Sequence, residues 1–165
     1  MKYNCFEELP VWQEAIELAV RIFDLTSRPQ FKGYFTLKDQ IERAGVSISN
    51  NIAEGFERGT TQETLTFLYI SKGSSGEVRS LTHLLERLGQ FKDLVREVLD
   101  IRTRATKISR QLHGWCNSLQ NTEIKGQRSL TDKSRRLDEA KKDREERKKE
   151  WEQYGYKGKA NSTSD

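Results

Sequence analysis

Long apolar runs are missing from this sequence: none approaches the ~20 residues that a membrane-spanning helix needs. The opening stretch, Met1-Lys2-Tyr3-Asn4-Cys5-Phe6-Glu7-Glu8, lacks the apolar segment of a secretion signal. Cysteine is scarce, and the two present, Cys5 and Cys116, fit no metal-ligand spacing. A reduced, cytoplasmic protein is the expectation, with a Cys5–Cys116 disulfide as the minor alternative. Histidine is equally sparse. Neither His83 nor His113 adjoins a Cys or an acid that suggests a triad, so each is expected as a polar boundary residue. Neither Glu-x-x-His nor His-x-x-x-His occurs, which removes the bundle-type metal site. Gly73 and Gly76 are followed by no Lys-Ser or Lys-Thr and preceded by no strand, so they form no phosphate loop. The expectation is a protein that is not an enzyme and holds no cofactor and no metal.

What is present is charge and helical periodicity. Of the 165 residues, 33% are charged and 34% are hydrophobic, enough for a helical core but not for a large α/β enzyme. No strand pattern appears. The expected fold is all-α: an antiparallel up-down four-helix bundle over residues 1–120, followed by a charged, partly helical or disordered tail over 121–165.

The first helix is expected from Pro10 to Leu25, since proline suits a first helical position. Val11, Ala15, Leu18, Ile22 and Leu25 form one apolar stripe, and Trp12, Ile16, Ala19 and Phe23 form another beside it. Together they are wider than one surface helix needs. Either this helix is central or it also meets another subunit, and the second is favoured. The stretch 27–33, with Pro29 and Gly33, reads as a loop. Helix two opens with a Thr36/Asp39 capping arrangement and closes at Gly59 in a left-handed conformation.

Helix two carries two ribbons. Leu37, Ile41, Ala44, Ile48 and Ile52 point inward; Gln40, Arg43, Ser47, Asn51, Glu54 and Arg58 recur beside them at the same interval. Short hydrogen-bonding groups dominate the second ribbon, which suits a paired, half-buried interface better than an ordinary wet flank. Thr60 with Glu63 makes a fuller capping box and opens helix three. That helix passes straight through Ser71-Lys72-Gly73-Ser74-Ser75-Gly76-Glu77, because Phe67, Ile70, Ser74, Val78, Leu81, Leu85 and Leu88 hold one phase. Each glycine then costs about 1 kcal/mol relative to alanine, which a close backbone approach is expected to offset. Glu77 borders the stripe and needs a partner; Arg43 and Asn51 are the candidates. The expected polar cluster is Arg43, Ser47, Asn51, Glu54, Ser74 and Glu77.

Gly89 separates helix three from helix four, whose inward residues are Phe91, Leu94, Val98, Ile101, Ala105, Ile108, Leu112, Trp115 and Leu119. Arg96, Arg104, Lys107 and Arg110 fall opposite them. No acid occurs between Asp100 and Glu123, although Arg102, Arg104, Lys107 and Arg110 all lie there. Cations at a helix C-terminus oppose the macrodipole without any ligand, but that effect fades beyond one turn. A basic run over several turns fits phosphate contacts better, so Arg96, Arg102, Arg104, Lys107 and Arg110 are the candidate nucleic-acid residues. In the tail, Leu130, Leu137 and Trp151 fill one seam position, too thin for a coiled coil. A frayed helix that orders on a partner, with Trp151 as an anchor, and a disordered end at 158–165 are expected.

The runs Phe6-Glu7-Glu8-Leu9-Pro10-Val11-Trp12-Gln13-Glu14-Ala15, Gln40-Ile41-Glu42-Arg43-Ala44, Asn51-Ile52-Ala53-Glu54-Gly55 and Gly73-Ser74-Ser75-Gly76-Glu77 resemble a known family. It is the four-helix bundle family often encoded in intervening sequences of bacterial large-subunit (23S) ribosomal RNA genes. The resemblance spans about Phe6 to Leu119. It implies a homopentameric barrel and kinship with the accessory proteins of diversity-generating retroelements, which bind a reverse transcriptase and its template RNA. It supplies no catalytic residues. The tail departs from the short family pattern and points to an added binding element. The functional expectation is therefore a non-enzymatic, oligomeric RNA-binding accessory protein, with RNA and a reverse transcriptase as partners. The alternative is a protein-interaction scaffold of the same family without a direct nucleic-acid role; a vestigial product with no strong ligand is a third.

Overall fold

Pro10 starts α1 (Pro10–Thr26) at its first position, and the periodic apolar residues behind it carry the helix without a break. Three further long helices follow: α2 (Phe35–Glu57), α3 (Thr61–Arg87) and α4 (Val95–Gln120). Short 3-10 segments lie at Phe6–Glu8, Pro29–Phe31 and Gly89–Leu94. The computed structural model describes residues 3–121 and 143–149, and no strand occurs among them. The chain divides into two units, Met1–Arg128 and Ser129–Asp165. In the first, α1 packs against α2 and α4, and α3 packs against the same two, which closes a helical bundle. In the second, residues 143–149 are helical and exposed. There Arg147 Nε donates to the Asp143 carbonyl at 3.3 Å. The expected Leu130/Leu137/Trp151 seam and the disordered end at 158–165 lie outside the described residues. No helix among the described residues is long and apolar enough to cross a membrane.

The core follows the inward stripes of α1, α2 and α4. Leu18, Ile22, Ile41, Ile48, Ile52, Ile101, Ile108 and Leu112 are fully buried, as their spacing predicts. The second stripe of α1 splits. Ala19 is buried and Trp12 is half-buried against Phe6 at 5.1 Å, whereas Ile16 (38%) and Phe23 (48%) stay exposed, as does Val20 (50%) outside the stripe.

α3 is continuous through Ser71–Glu77, but its inward face is rotated from the expected one. Ile70 is exposed, and the buried stripe runs Thr64, Leu68, Ser71, Ser75, Val78, Thr82 and Leu85. Hydroxyls tolerate this burial because a helix offers them carbonyls of its own or of a neighbour. Ser71 Oγ donates to the Ile48 carbonyl of α2 at 2.9 Å, and Ser75 Oγ to the Ser71 carbonyl at 3.1 Å. Small side chains let the two helices come close. The glycines that make this possible are not the expected pair: a Cβ on Gly73 or Gly76 would meet nothing within 4 Å. The tight position against α3 is Gly55 of α2, where a Cβ would sit 2.9 Å from Phe67 Cβ; Gly45 is tight against α1 instead, 2.6 Å from Ile22 Cδ1.

Both ends of α2 also settle differently. Thr36 and Asp39 lie inside α2, which is preceded by Tyr34 with no side-chain cap. At the other end Arg58 is extended (φ −72°, ψ 142°), and Gly59 does not take a left-handed conformation. The chain turns back between α2 and α3 through extended residues, Arg58 and Thr60, so the reversal needs no left-handed glycine. Gly33 alone among the described residues has positive φ, at 90°, in the loop between α1 and α2. The Thr60 cap forms as expected: its Oγ1 accepts from the Glu63 N–H at 3.2 Å. The Thr60 hydroxyl in turn donates to the Glu63 carboxylate at 2.7 Å.

Candidate nucleic-acid interface

The polar ribbon of α2 meets α3 over part of its length. Ser47 and Ser74 share a hydrogen bond of 2.8 Å, and Asn51 Nδ2 donates to the Ser47 carbonyl at 2.7 Å and hydroxyl at 3.0 Å. These three are brought together as expected. Glu77 is not held by Arg43 or Asn51; Gln40 Nε2 donates to it instead. Arg43 follows Gln40 by three residues and therefore stands about 60° further round the helix. That turn carries it into solvent, where it faces Asp39 at 3.7 Å. Glu54 pairs within its own helix, accepting from Arg58 at 2.5 Å. The cluster is thus a hydroxyl–amide seam flanked by exposed intrahelical ion pairs, and it joins two helices rather than forming a pocket.

The basic run of α4 is distributed around the helix. Arg102 turns towards α3, where Nη1 donates to Glu86 at 2.7 Å and to His83 Nδ1 at 2.5 Å. Arg104 Nε donates to Asp100 at 2.9 Å, and Asp100 also faces Arg21 of α1 at 3.4 Å. Lys107 pairs with Glu14 of α1, whose other oxygen accepts from Gln111 at 2.8 Å. Three of the five expected residues therefore have carboxylate partners. Arg96 and Arg110 are exposed on the outer ridge of α4 and have no ion pair among the described residues. The run is acid-free along the chain, but folding brings Glu14 and Glu86 to it from other helices. Their register against α4 is set by packing and leaves no local mark in the sequence.

Arg102 gives this surface a pH-sensitive element. Its hydrogen bond holds the Glu86 carboxyl below the ordinary value of 4.5, with the nearby charge adding to the effect. A depressed folded pKa stabilises the fold above the unfolded value, and that contribution is lost as pH falls through the folded one. Glu86→Gln is expected to flatten the acid limb of the stability–pH curve below 4.5. Near pH ~7, where the contribution of the pair is fully present, it should lower stability slightly, since solvent screens exposed pairs, and the two curves should converge in acid. Urea denaturation across the acid range would show this, and an unchanged acid limb would remove Glu86 from the account.

No group of three His, Cys, Asp or Glu side chains among the described residues is arranged to hold a metal ion. Cys5 and Cys116 are free, and burial pushes the Cys116 thiol up from its ordinary value.

Comparison with known proteins now bears on this geometry. No functionally curated protein is significantly similar to the chain. A crystal structure of a protein of unknown function from the S23 ribosomal protein family of Bacteroides thetaiotaomicron is similar to it, with a TM-score of 0.57 and 25% identity. The similarity covers 64% of this chain and 97% of that one. The sequence profile of the 23S rRNA-intervening sequence proteins matches residues 7–114, from the first 3-10 segment into the last turns of α4. On that match over most of its length, the chain belongs to the 23S rRNA-intervening sequence protein family.

Proposed function

We propose that the protein is a non-enzymatic, self-assembling RNA-binding accessory protein of the cytoplasm. The observation that carries the reading is the outer ridge of α4, where Arg96 and Arg110 face solvent without a carboxylate partner among the described residues. Two such cations on the α4 ridge of one protomer make a weak field. Copies arranged in a ring repeat it, and a repeated positive ridge attracts a polyanion. The exposed Ile16, Val20 and Phe23 on α1 supply an apolar surface on which such copies can meet. A homopentameric barrel is the assembly that the family resemblance favours. RNA is the polyanion that the motif resemblance favours. The motif resemblance to retroelement accessory proteins extends the reading to a partner of a reverse transcriptase.

A second reading, a protein-interaction scaffold, is favoured by the carboxylates on Arg102, Arg104 and Lys107, which leave those cations committed within the protomer. The two readings separate on one measurement. Arg96→Glu with Arg110→Glu is expected to weaken RNA binding about tenfold or more and to reduce the salt slope by ~1 for each phosphate contact removed. An affinity unchanged by both substitutions would overturn the α4 ridge as the RNA surface, and a wild-type chain that binds no RNA would leave the scaffold.

A further inference from the structure

The end of the bundle where α1 passes to α2 carries an aromatic ring that the protomer does not cover. Phe35 opens α2 and is 74% exposed, more than any other large hydrophobic among the described residues. Single exposed hydrophobics are ordinary; the surroundings of this one are not. Tyr34, its neighbour, stands edge-on to Phe91 at 5.2 Å, and Phe91 also packs on Phe31 at 4.7 Å. These contacts fasten the loop between α1 and α2 to the 3-10 segment Gly89–Leu94. Lys32 and Lys92, each next in sequence to one of the packed rings, are thereby brought to the same end.

Charge at this end is positive on balance. Arg28, Lys32 and Lys92 are exposed and have no ion pair among the described residues. Residues 25–38 contain no Asp or Glu. The acids nearby are largely committed: Glu42 faces Lys38 at 3.7 Å, and Asp39 faces Arg43 at 3.7 Å. Asp93 and Asp24 are exposed and oppose the three free cations in part. An open ring at the same end of the bundle as unpaired cations offers a flat apolar face to a base and positive charge to the phosphates on either side of it.

We propose that this end of the bundle is a stacking site for single-stranded nucleic acid. An unpaired base lies on the Phe35 ring with Tyr34 at its edge, and Arg28, Lys32 and Lys92 take the flanking phosphates. The site selects single strands, because in a duplex the face that Phe35 would cover is already stacked on the next base pair. It rests on the RNA-binding function proposed above but uses a different surface from the α4 ridge.

The test uses the full chain and its variants Phe35→Ala, Phe35→Trp and Lys32→Glu with Lys92→Glu. The probes are a labelled single-stranded RNA of about 12 nucleotides, the same sequence as single-stranded DNA, and the RNA duplex. Phe35→Ala should weaken single-strand binding about tenfold and change duplex binding less than about twofold, and tryptophan should restore it. The double charge reversal should weaken binding and flatten its salt dependence. Equal effects on RNA and DNA strands assign the site to base and phosphate; an effect on RNA alone adds the ribose. Intact strand binding that is insensitive to Phe35→Ala would overturn this site alone. A fall in native mass with Phe35→Ala would overturn it too, making the ring a contact between protein chains. A wild-type chain that binds none of the probes would overturn both this site and the function on which it rests.

Discussion

Replacing Gly55 by valine is expected to destabilise the bundle by about 3 kcal/mol, at the upper end of what overpacking a close contact usually does. A Cβ at this position would lie 2.9 Å from Phe67 Cβ, 3.3 Å from the Thr64 carbonyl oxygen and 3.7 Å from Thr64 Cα. None of these atoms is the free tip of a side chain, so relief requires α3 to move away from α2. That movement stretches the bonds that tie the two helices, from Ser71 to the Ile48 carbonyl and between Ser47 and Ser74. Alanine at Gly55 should lie between wild type and valine, because its helix propensity returns about 1 kcal/mol. Gly45→Ala should be milder still: the close atom is the Ile22 Cδ1 methyl, which can rotate away. Gly73→Ala meets nothing within 4 Å and should raise stability by about 1 kcal/mol. Urea unfolding of the four variants at one protein concentration gives the order. A Gly55→Val variant as stable as wild type would show that α2 and α3 do not approach closely there.

That ranking also marks where the sequence is legible and where it is not. The apolar stripes of α1, α2 and α4 are readable because Leu, Ile and Val at three-and-four spacing have a single good use in a helix. In α3 the same rule points to Phe67 and Ile70, but burial goes to Thr64, Ser71, Ser75 and Thr82. A hydroxyl that bonds to a carbonyl is as comfortable inside as out, so its polarity does not report its side. Glycines are ambiguous for a related reason. Gly73 and Gly76 stand in a run of small residues that resembles a contact surface, while Gly55 stands at a helix end and resembles a stop. Only the facing helix decides which one is close.

Electrostatics fails in a different way. The basic run between Asp100 and Glu123 is real along the chain, and the helix periodicity of α4 is correct. Yet Lys107 meets Glu14, 93 positions away in sequence, and Arg102 meets Glu86 on the preceding helix. Long side chains reach across helix grooves, so a charge tally along one helix omits half of each potential pair. The Thr60–Glu63 cap was readable for the opposite reason: both partners lie within one turn. Local chemistry survives in the sequence, whereas groups brought together by packing do not.

The surface left over by the α1 stripe gives the remaining prediction. If the chain self-assembles as proposed, Ile16→Glu with Phe23→Glu is expected to convert the assembly to lone chains at micromolar concentration while helicity is retained. Within a protomer both side chains are already largely in solvent, and surface substitutions of that kind usually change stability by no more than about 0.5 kcal/mol. Within an interface each would bury an unpaired carboxylate, a penalty of several kcal/mol per group that recurs at every repeat of the ring. The same change therefore separates folding from assembly by its magnitude alone. Native mass measurement reads it directly: an unchanged mass in the variant would place the interface elsewhere, and a wild-type mass equal to one chain would remove self-assembly. RNA affinity should fall in parallel with the mass, although neither substituted residue lies on α4. Arg96 and Arg110 supply only two free cations to each protomer, and their attraction for a polyanion grows with the number of copies held side by side.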